Sequence, residues 1–370
     1  MSLSSAPDAP PLDTAPLPAP SARHGTLATL SPSYFGMVMA TGIVSLAAHF
    51  LAKDLIAHVL FVLNLGFYVA LWLLTAVRAA RYPRLFFTDL SDHLRGPGFF
   101  TSVAGTCVLG AQCLILGQST RTAFILWGVA IVLWLVLTYA IFAALTLKTR
   151  KPTLDRGING GWLLAVVATQ SLAVLSALLA PYVGQPYKLE MNFFALSMWL
   201  WGGMLYIWMM SLIFYRYTFF VLSPGDLVPP YWINMGAMAI STLAGSLLIG
   251  NAPDAPYLVS LLPFLKGFTI FYWATGTWWI PMLLLLGVWR YVYKRFPLRY
   301  DPMYWGAVFP LGMYGASTFQ MNKAMSFGFL DFVPVGFLYI ALFAWVLAFS
   351  GLLYELGQGI SEHKRAVRRF

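Results

Sequence analysis

The sequence predicts an all-α membrane protein, with ten transmembrane helices arranged as five similar helical hairpins. Of its 370 residues, 59% are hydrophobic and only 10% are charged, whereas a soluble domain carries about 25% charged residues. Several apolar runs exceed the roughly 18–20 residues that a helix needs to cross a bilayer. A third observation, a motif that recurs before every second run, predicts the hairpin repeat.

The recurring motif is a short aromatic segment that follows proline, glycine or serine. It occurs at residues 31–35, 96–100, 160–162, 229–232 and 303–305. From Phe35 to Phe100, Trp162, Trp232 and Trp305 the steps are 65, 62, 70 and 73 residues. A hairpin repeated around an axis leaves a hole on that axis, so the pattern favours a conduit over a catalytic cleft.

Hydropathy predicts one transmembrane domain over residues 28–355. Its ten spans are expected at residues 32–51, 57–77, 98–117, 123–145, 160–180, 191–214, 230–249, 257–285, 303–322 and 332–353. Residues 1–27, rich in proline, alanine and serine, are predicted to be a disordered cytoplasmic tail, and residues 356–370 a basic cytoplasmic tail. Most connections are short, so consecutive helices should pair as antiparallel hairpins.

The odd-numbered spans are more polar than the even-numbered spans. They contain 19 Ser, Thr, Asn and Gln residues, against 11 in the even spans. Polar side chains are costly against lipid tails and collect where helices meet protein or water. We therefore expect the odd helices to form an inner, pore-lining ring, with the even helices outside. Tight packing of small residues is the alternative explanation.

Positive charge is concentrated on one side of the predicted domain. Eighteen of the 23 Lys and Arg residues lie in the two tails and in the connections from even to odd spans. The positive-inside rule then places both termini in the cytoplasm, where the basic tail could contact membrane lipids. This placement accounts for the net charge of +10 without a nucleic-acid partner.

Two runs, residues 34–42 and residues 86–101, resemble a known transporter family. With ten spans in five hairpins, the chain is similar to the tellurite-resistance/C4-dicarboxylate transporter family. That family includes bacterial tellurite-resistance membrane proteins, malic acid permeases, sulfite exporters and plant slow anion channels. The resemblance covers about residues 28–355, and its motifs carry no substrate signature.

The resemblance implies a quasi-fivefold ring of hairpins, in a homotrimer in which each subunit has its own pore. It also implies that a phenylalanine on the ninth helix plugs this pore. Within residues 304–310 the family pattern matches Phe309, and Phe319 is the alternative position. The implied location is the bacterial plasma (inner) membrane.

The predicted spans contain no Asp or Glu, and the five histidines are peripheral. Proton-coupled transporters usually carry such a group within the membrane, so the sequence favours passive conduction. Hydroxyl groups and helix N-termini can replace part of an anion's hydration shell. With helix packing as the alternative for each, the predicted lining around the gate Phe309 is Tyr34, Thr41, Gly42, Thr106, Thr169, Gln170, Ser241, Thr242 and Gly312.

Two charged features also have simpler alternatives. Lys266, the one basic residue inside a span, could attract anions near the outer mouth, or it could be a snorkelling lysine on an outward-facing helix. The acidic and histidine residues between 89 and 93 offer too few ligands for a metal site. We expect them to cap the third helix and to pair with Arg84 or Arg95.

The sequence thus predicts a channel or transporter for small inorganic anions or C4-dicarboxylates such as malate, with no cofactor and no enzymatic activity. A proton-coupled dicarboxylate or sulfite exporter is the first alternative. The second is a tellurite-resistance factor that acts through thiol chemistry, for which Cys107 and Cys113 are the only candidate groups.

Overall fold

The structure is a computed structural model that describes residues 27–298 and 300–367. Ten helices of at least 15 residues dominate it, and the described residues form no strand. We number these helices α1 (Gly36–Phe50), α2 (Asp54–Arg81), α3 (Phe100–Ile115), α4 (Thr120–Leu147), α5 (Leu164–Leu179), α6 (Tyr187–Phe219), α7 (Ile233–Asn251), α8 (Leu262–Val288), α9 (Trp305–Met325) and α10 (Phe332–Val367). Within the described ranges, nine of the ten are long and apolar enough to cross a membrane, and the less apolar α9 is the exception.

Each odd helix is preceded by a short 3-10 turn, which the recurring aromatic motif forms. The five turns are Pro32–Phe35, Gly96–Phe99, Gly160–Leu163, Pro229–Trp232 and Pro302–Tyr304. Four of them have proline in their first two positions, where the missing N–H costs no helix bond. The turns contact one another in a closed circle, which confirms the fivefold repeat. We call the side of the molecule that holds them the basic end.

Glycine allows two of these turns to approach closely. A Cβ atom on Gly160 would lie 2.4 Å from the carbonyl oxygen of Pro230 in the neighbouring turn. Any larger residue would therefore push the third and fourth turns apart.

The odd helices form the predicted inner ring. Each contacts the next in the order α1, α3, α5, α7, α9, and α9 contacts α1 again. In the most apolar 18-residue segment of each helix, 78 to 94% of the residues are buried for α1, α3, α5 and α7, against 17 to 50% for the even helices. Each even helix packs on the odd helix that precedes it, so the hairpins are also as predicted.

The boundaries differ from the prediction in three places. Most even helices extend past their predicted spans, for example α2 at Asp54–Arg81, because their ends carry polar and basic residues that hydropathy excludes. The span expected at 257–285 is divided into Pro256–Ser260 and α8, and each of these begins with a proline-containing turn. The predicted C-terminal boundary at 356 falls inside α10, while residues 1–26 and 368–370 of the two predicted tails lie outside the described residues.

Candidate conduction pathway

A small cavity lies inside the ring of odd helices. All five of them contribute to its wall, through Ile43, Leu46, Phe50, Cys107, Val108, Ala111, Ile115, Ser171, Val174, Leu178, Ile240, Leu243, Leu247, Met313 and Gln320. On each helix these positions are mostly three, four or seven apart, so each helix presents one face to the axis. We call this space the axial cavity.

The wall of the axial cavity is almost entirely apolar. Ser171 and Gln320 are its polar members, and no lining residue is charged. The Ser171 hydroxyl donates a hydrogen bond to the carbonyl oxygen of Val167 on its own helix, at 2.7 Å. An ion in this cavity would therefore meet few groups that could replace its water.

Three of the hydroxyl groups predicted to line the pore, those of Thr41, Thr106 and Thr169, lie instead at contacts between hairpins. Five aromatic side chains on even helices, one from each hairpin, bond to the odd helix of the next hairpin. The pairs are Tyr68–Thr106 (3.0 Å), Trp134–Thr169 (2.9 Å), Trp199 with the carbonyl of Ser241 (2.8 Å), Trp273–Thr318 (3.0 Å) and Trp345–Thr41 (2.9 Å). We call these five bonds the hairpin latches.

The hairpin latches correct the predicted lining. The hydroxyls of Thr106 and Thr169 also donate to carbonyl oxygens four residues earlier in their own helices, so each already has two partners. They face the outer helices because the indole or phenol groups there need a partner in the membrane. Part of the polar excess of the odd spans therefore joins neighbouring hairpins to one another, and in the described part of the chain Ser171 and Gln320 alone bring polar side chains to the wall of the axial cavity.

A sequence signal for the latches was present and was missed. Tyr68, Trp134, Trp199, Trp273 and Trp345 recur in the even spans at steps of 66, 65, 74 and 72 residues. Each step lies within four residues of the corresponding step of the aromatic motif that begins the odd helices, so the same repeat contains both features.

The other predicted lining residues are also used in packing. Gln170 donates from its amide to the carbonyl of Trp199 on α6, and the Thr242 hydroxyl donates to the carbonyl of Met238. A Cβ on Gly42 would lie 2.4 Å from Val108, and one on Gly312 would lie 3.0 Å from Val44. These two glycines therefore allow α1 to approach α3 and α9.

Tyr34 and Lys266 lie away from the axial cavity. Tyr34 is half-buried in the 3-10 turn that precedes α1. Lys266 is exposed on the outer helix α8, as the snorkelling alternative expects.

Phe309 is buried in α9, with 1% of its surface exposed. It lies one helical turn before Met313, which lines the axial cavity, so the two side chains project from the same face of α9. The next residue, Pro310, packs against α7, where a Cβ on Gly236 would lie 2.6 Å from its ring. Because Gly236 has no side chain, α7 leaves room for the Pro310 ring beside Phe309.

At the basic end, a basic side chain at or just beyond the C-terminal end of four even helices donates a hydrogen bond to a backbone carbonyl. Each carbonyl lies in the segment that leads into the odd helix of the same hairpin. The bonds are Arg78 to the carbonyl of Ala28 (3.2 Å), Lys148 to Ser91 (2.9 Å), Arg216 to Asp155 (2.8 Å) and Arg290 to Leu227. Part of the predicted basic collar therefore anchors these connections.

The loop before α3 is held by ion pairs and by hydrogen bonds to the Asp92 carboxylate. The expected capping of the third helix is not observed, because neither α3 nor the turn before it has a side-chain cap. Asp89 pairs with Arg78 and, at 2.8 Å, with Arg95. Asp92 accepts bonds from the backbone N–H groups of Leu94 and Arg95. Of the two expected alternatives, Arg84 or Arg95, the partner is Arg95, and Arg78 is a further partner that the sequence did not predict.

His93 is harder to protonate than a free imidazole. Partial burial, together with the nearby Lys148 ammonium, holds the pKa of the His93 imidazole below its usual value of 6.5. The ring packs beside Trp162, with 6.2 Å between the ring centres.

The closed ring of apolar helices, with an axial cavity inside it, defines a multi-pass integral membrane protein of the channel and transporter class. The chain belongs to the voltage-dependent anion channel family, whose sequence profile matches residues 29–353. The match includes all ten long helices except the end of α10, so the predicted family resemblance is confirmed.

Individual relatives agree with this assignment. An uncharacterized transporter of Methanocaldococcus jannaschii is 25% identical over 88% of this chain and 95% of its own length. A sulfite efflux pump of Trichophyton rubrum is 24% identical over 89% of this chain and 91% of its own. An uncharacterized membrane protein of Mycobacterium tuberculosis is 36% identical over 44% of this chain and 82% of its own.

Proposed function

We propose that this protein conducts small anions passively along the axis of the inner ring, and that Phe309 closes the path. The observation that carries the proposal is the axial cavity, into which one face of each odd helix projects. The apolar segments of the described membrane-crossing helices contain few charged residues, which disfavours a chain of ionisable side chains that could carry protons across the membrane.

The apolar wall favours monovalent anions. Removing an ion from water into apolar surroundings is expensive, and the cost grows with the square of the ion's charge. Chloride, nitrate and hydrogensulfite should therefore pass more readily than the malate or sulfite dianion. C4-dicarboxylates remain candidate substrates in their singly charged form.

The gate assignment combines the family resemblance with the position of Phe309. A buried aromatic ring one turn from the cavity can block the passage sterically, and the apolar wall beyond it excludes water when the passage is narrow. Movement of Phe309 would open the path, and Pro310, which interrupts the backbone hydrogen bonds of α9, supplies a place where that helix can bend.

The basic end is proposed to face the cytoplasm of a bacterial cell, with both termini on that side. The positive-inside rule supports this orientation. Exposed apolar side chains cover the even helices, for example Leu135 on α4 and Phe343 on α10. They suit contact with lipid and with the two other subunits of the homotrimer that the family resemblance implies.

A second candidate function is sulfite efflux. It is favoured by the similarity to the fungal sulfite pumps, which extends over 89% of this chain. In this case hydrogensulfite is the expected permeant form, so sulfite flux should rise as the pH falls, in proportion to the singly charged fraction.

Flux measurements in proteoliposomes test both candidates. Chloride, nitrate, sulfite and malate are compared with and without a pH gradient, at the same membrane potential. We expect flux of the monovalent anions to persist when a protonophore collapses the gradient. Flux that stops under this treatment would instead support the proton-coupled exporter.

A further inference from the structure

A second cavity lies at the basic end and outside the inner ring. It is bounded by the end of α8, the 3-10 turn before α7 and the beginning of α9. Its wall is mainly apolar and aromatic, and includes Leu283, Leu286 and Trp232. Among the described residues that line it, Arg290 alone is charged. We call this space the Arg290 cavity.

Arg290 is buried, with 7% of its surface exposed. One terminal nitrogen of its guanidinium donates to the carbonyl oxygen of Leu227, and the group lies over the Phe296 ring, 4.3 Å from the ring centre. Its Nε atom has no hydrogen-bond partner among the described residues. A buried donor on a cation is costly unless a ligand satisfies it.

The equivalent arginines of two other hairpins have carboxylate partners. Arg78 pairs with Asp89, and Arg216 lies 3.6 Å from a carboxylate oxygen of Asp226. In the part of the chain that the structure describes, Arg290 forms no ion pair. An external anion would fill the place that a carboxylate fills in the other two hairpins.

A tyrosine pair lines the same cavity. The hydroxyl groups of Tyr291 and Tyr304 are 2.9 Å apart, so one donates to the other. The accepting hydroxyl keeps its own proton, which it can donate to a ligand. Together with Arg290 this gives a guanidinium and a hydroxyl donor in one cavity, a combination that suits a phosphate group.

The surroundings favour a phosphate that is carried by a lipid. Leu286 and Gly287 line the cavity from the outer helix α8, and both are only partly buried, as is Trp232, so the cavity opens at the outer surface beside α8. We propose that the Arg290 cavity binds an anionic phospholipid, whose phosphate contacts Arg290 and the tyrosine pair while its acyl chain follows the apolar wall. This site does not depend on the proposed gate.

Lipid binding can be measured by native mass spectrometry of the purified protein, titrated with phosphatidylglycerol. We compare the wild type with Arg290→Gln, with Gly287→Leu and with the control Lys294→Gln. Gly287 lines the cavity, and a Cβ there meets no atom within 4 Å, so the leucine fills the space while Arg290 is kept. Lys294 is an exposed cation one turn further along the chain.

We expect one phosphatidylglycerol molecule to bind per wild-type and per Lys294→Gln chain, and to bind about tenfold or more weakly to the other two variants. If Arg290→Gln does not fold, the loss of phosphatidylglycerol binding in Gly287→Leu tests the proposal by itself. Equal binding by all four proteins, or an equal loss in Lys294→Gln, overturns the proposal. Displacement of the lipid by millimolar inorganic phosphate would identify free phosphate as the ligand and overturn the lipid assignment.

Discussion

The indole nitrogen of Trp345 donates a hydrogen bond to the hydroxyl of Thr41 at 2.9 Å, between residues 304 positions apart in the sequence. This bond joins the fifth hairpin to the first and completes the circle of hairpin latches. The bond holds α10 against α1, and α10 also packs on α9. It therefore helps to keep α9 beside α1, whose separation would open the axial cavity toward the membrane.

The Trp345–Thr41 latch should contribute measurably to stability. We expect Trp345→Phe and Thr41→Val each to lower the free energy of unfolding. In a double-mutant cycle, the two changes should be coupled by about 0.6 kcal/mol and by no more than roughly 1.7 kcal/mol, as for other hydrogen bonds between membrane helices. Thermal unfolding in detergent measures the effect. Strictly additive losses would show that the two residues do not act as a pair.

Asp89 should matter more for stability than Asp226. Arg78 and Arg216 are both buried. However, Asp89 is 12% exposed and pairs with both Arg78 and Arg95, whereas Asp226 is 38% exposed and lies 3.6 Å from Arg216. Without Asp226, Arg216 would keep its bonds to the Asp155 carbonyl and the Tyr231 hydroxyl. Loss of one partner leaves a buried charge uncompensated, which costs about 3–5 kcal/mol, against about 0–1 kcal/mol for an exposed pair. Asp89→Asn should therefore destabilise the protein strongly and Asp226→Asn weakly. Equal melting temperatures for the two variants would contradict this reading.

Gly236 should control how closely α7 approaches the gate region of α9. A Cβ at this position would lie 2.6 Å from the Pro310 ring, so Gly236→Ala should cost about 1–3 kcal/mol through overpacking and should change basal anion flux. Gly250→Ala is the matched control, because Gly250 lies on the same helix and a Cβ there meets no atom within 4 Å. We expect the control to keep wild-type stability and flux.

Thiol chemistry should not be needed for activity. Cys107 and Cys113 are both buried and form no disulfide. We expect Cys107→Ala/Cys113→Ala to retain anion flux and any tellurite resistance that the wild type gives to cells. Resistance that disappears while flux persists would favour the thiol-dependent alternative.

The aromatic motif and the polarity of the odd spans were sufficient to predict the arrangement of the fold. Both are local properties: prolines fix the 3-10 turns before α1, α3, α7 and α9, and burial follows from composition. The direction of an individual side chain around an inner helix is not local. Thr41 could face the axis or a neighbouring helix, and its actual partner, Trp345, is near the other end of the sequence.

The basic clusters illustrate the same limit. The sequence correctly grouped Arg78, Lys148 and Arg290 on one side. It could not show which of them are buried, because burial depends on the carbonyl group that each one reaches. The apolar axial cavity was missed for a related reason, since polar residues in an inner helix were assumed to face the axis.

The central claim is that the axis of the inner ring is the anion path and that Phe309 closes it. The most direct test is the anion flux of Phe309→Ala in proteoliposomes, with Phe343→Ala as a control, since Phe343 is 68% exposed on the outer helix α10. Removal of a barrier of ~1.4 kcal/mol would raise flux about tenfold, and we expect at least that for Phe309→Ala and no change for the control. Wild-type flux in a correctly folded Phe309→Ala protein would contradict the account.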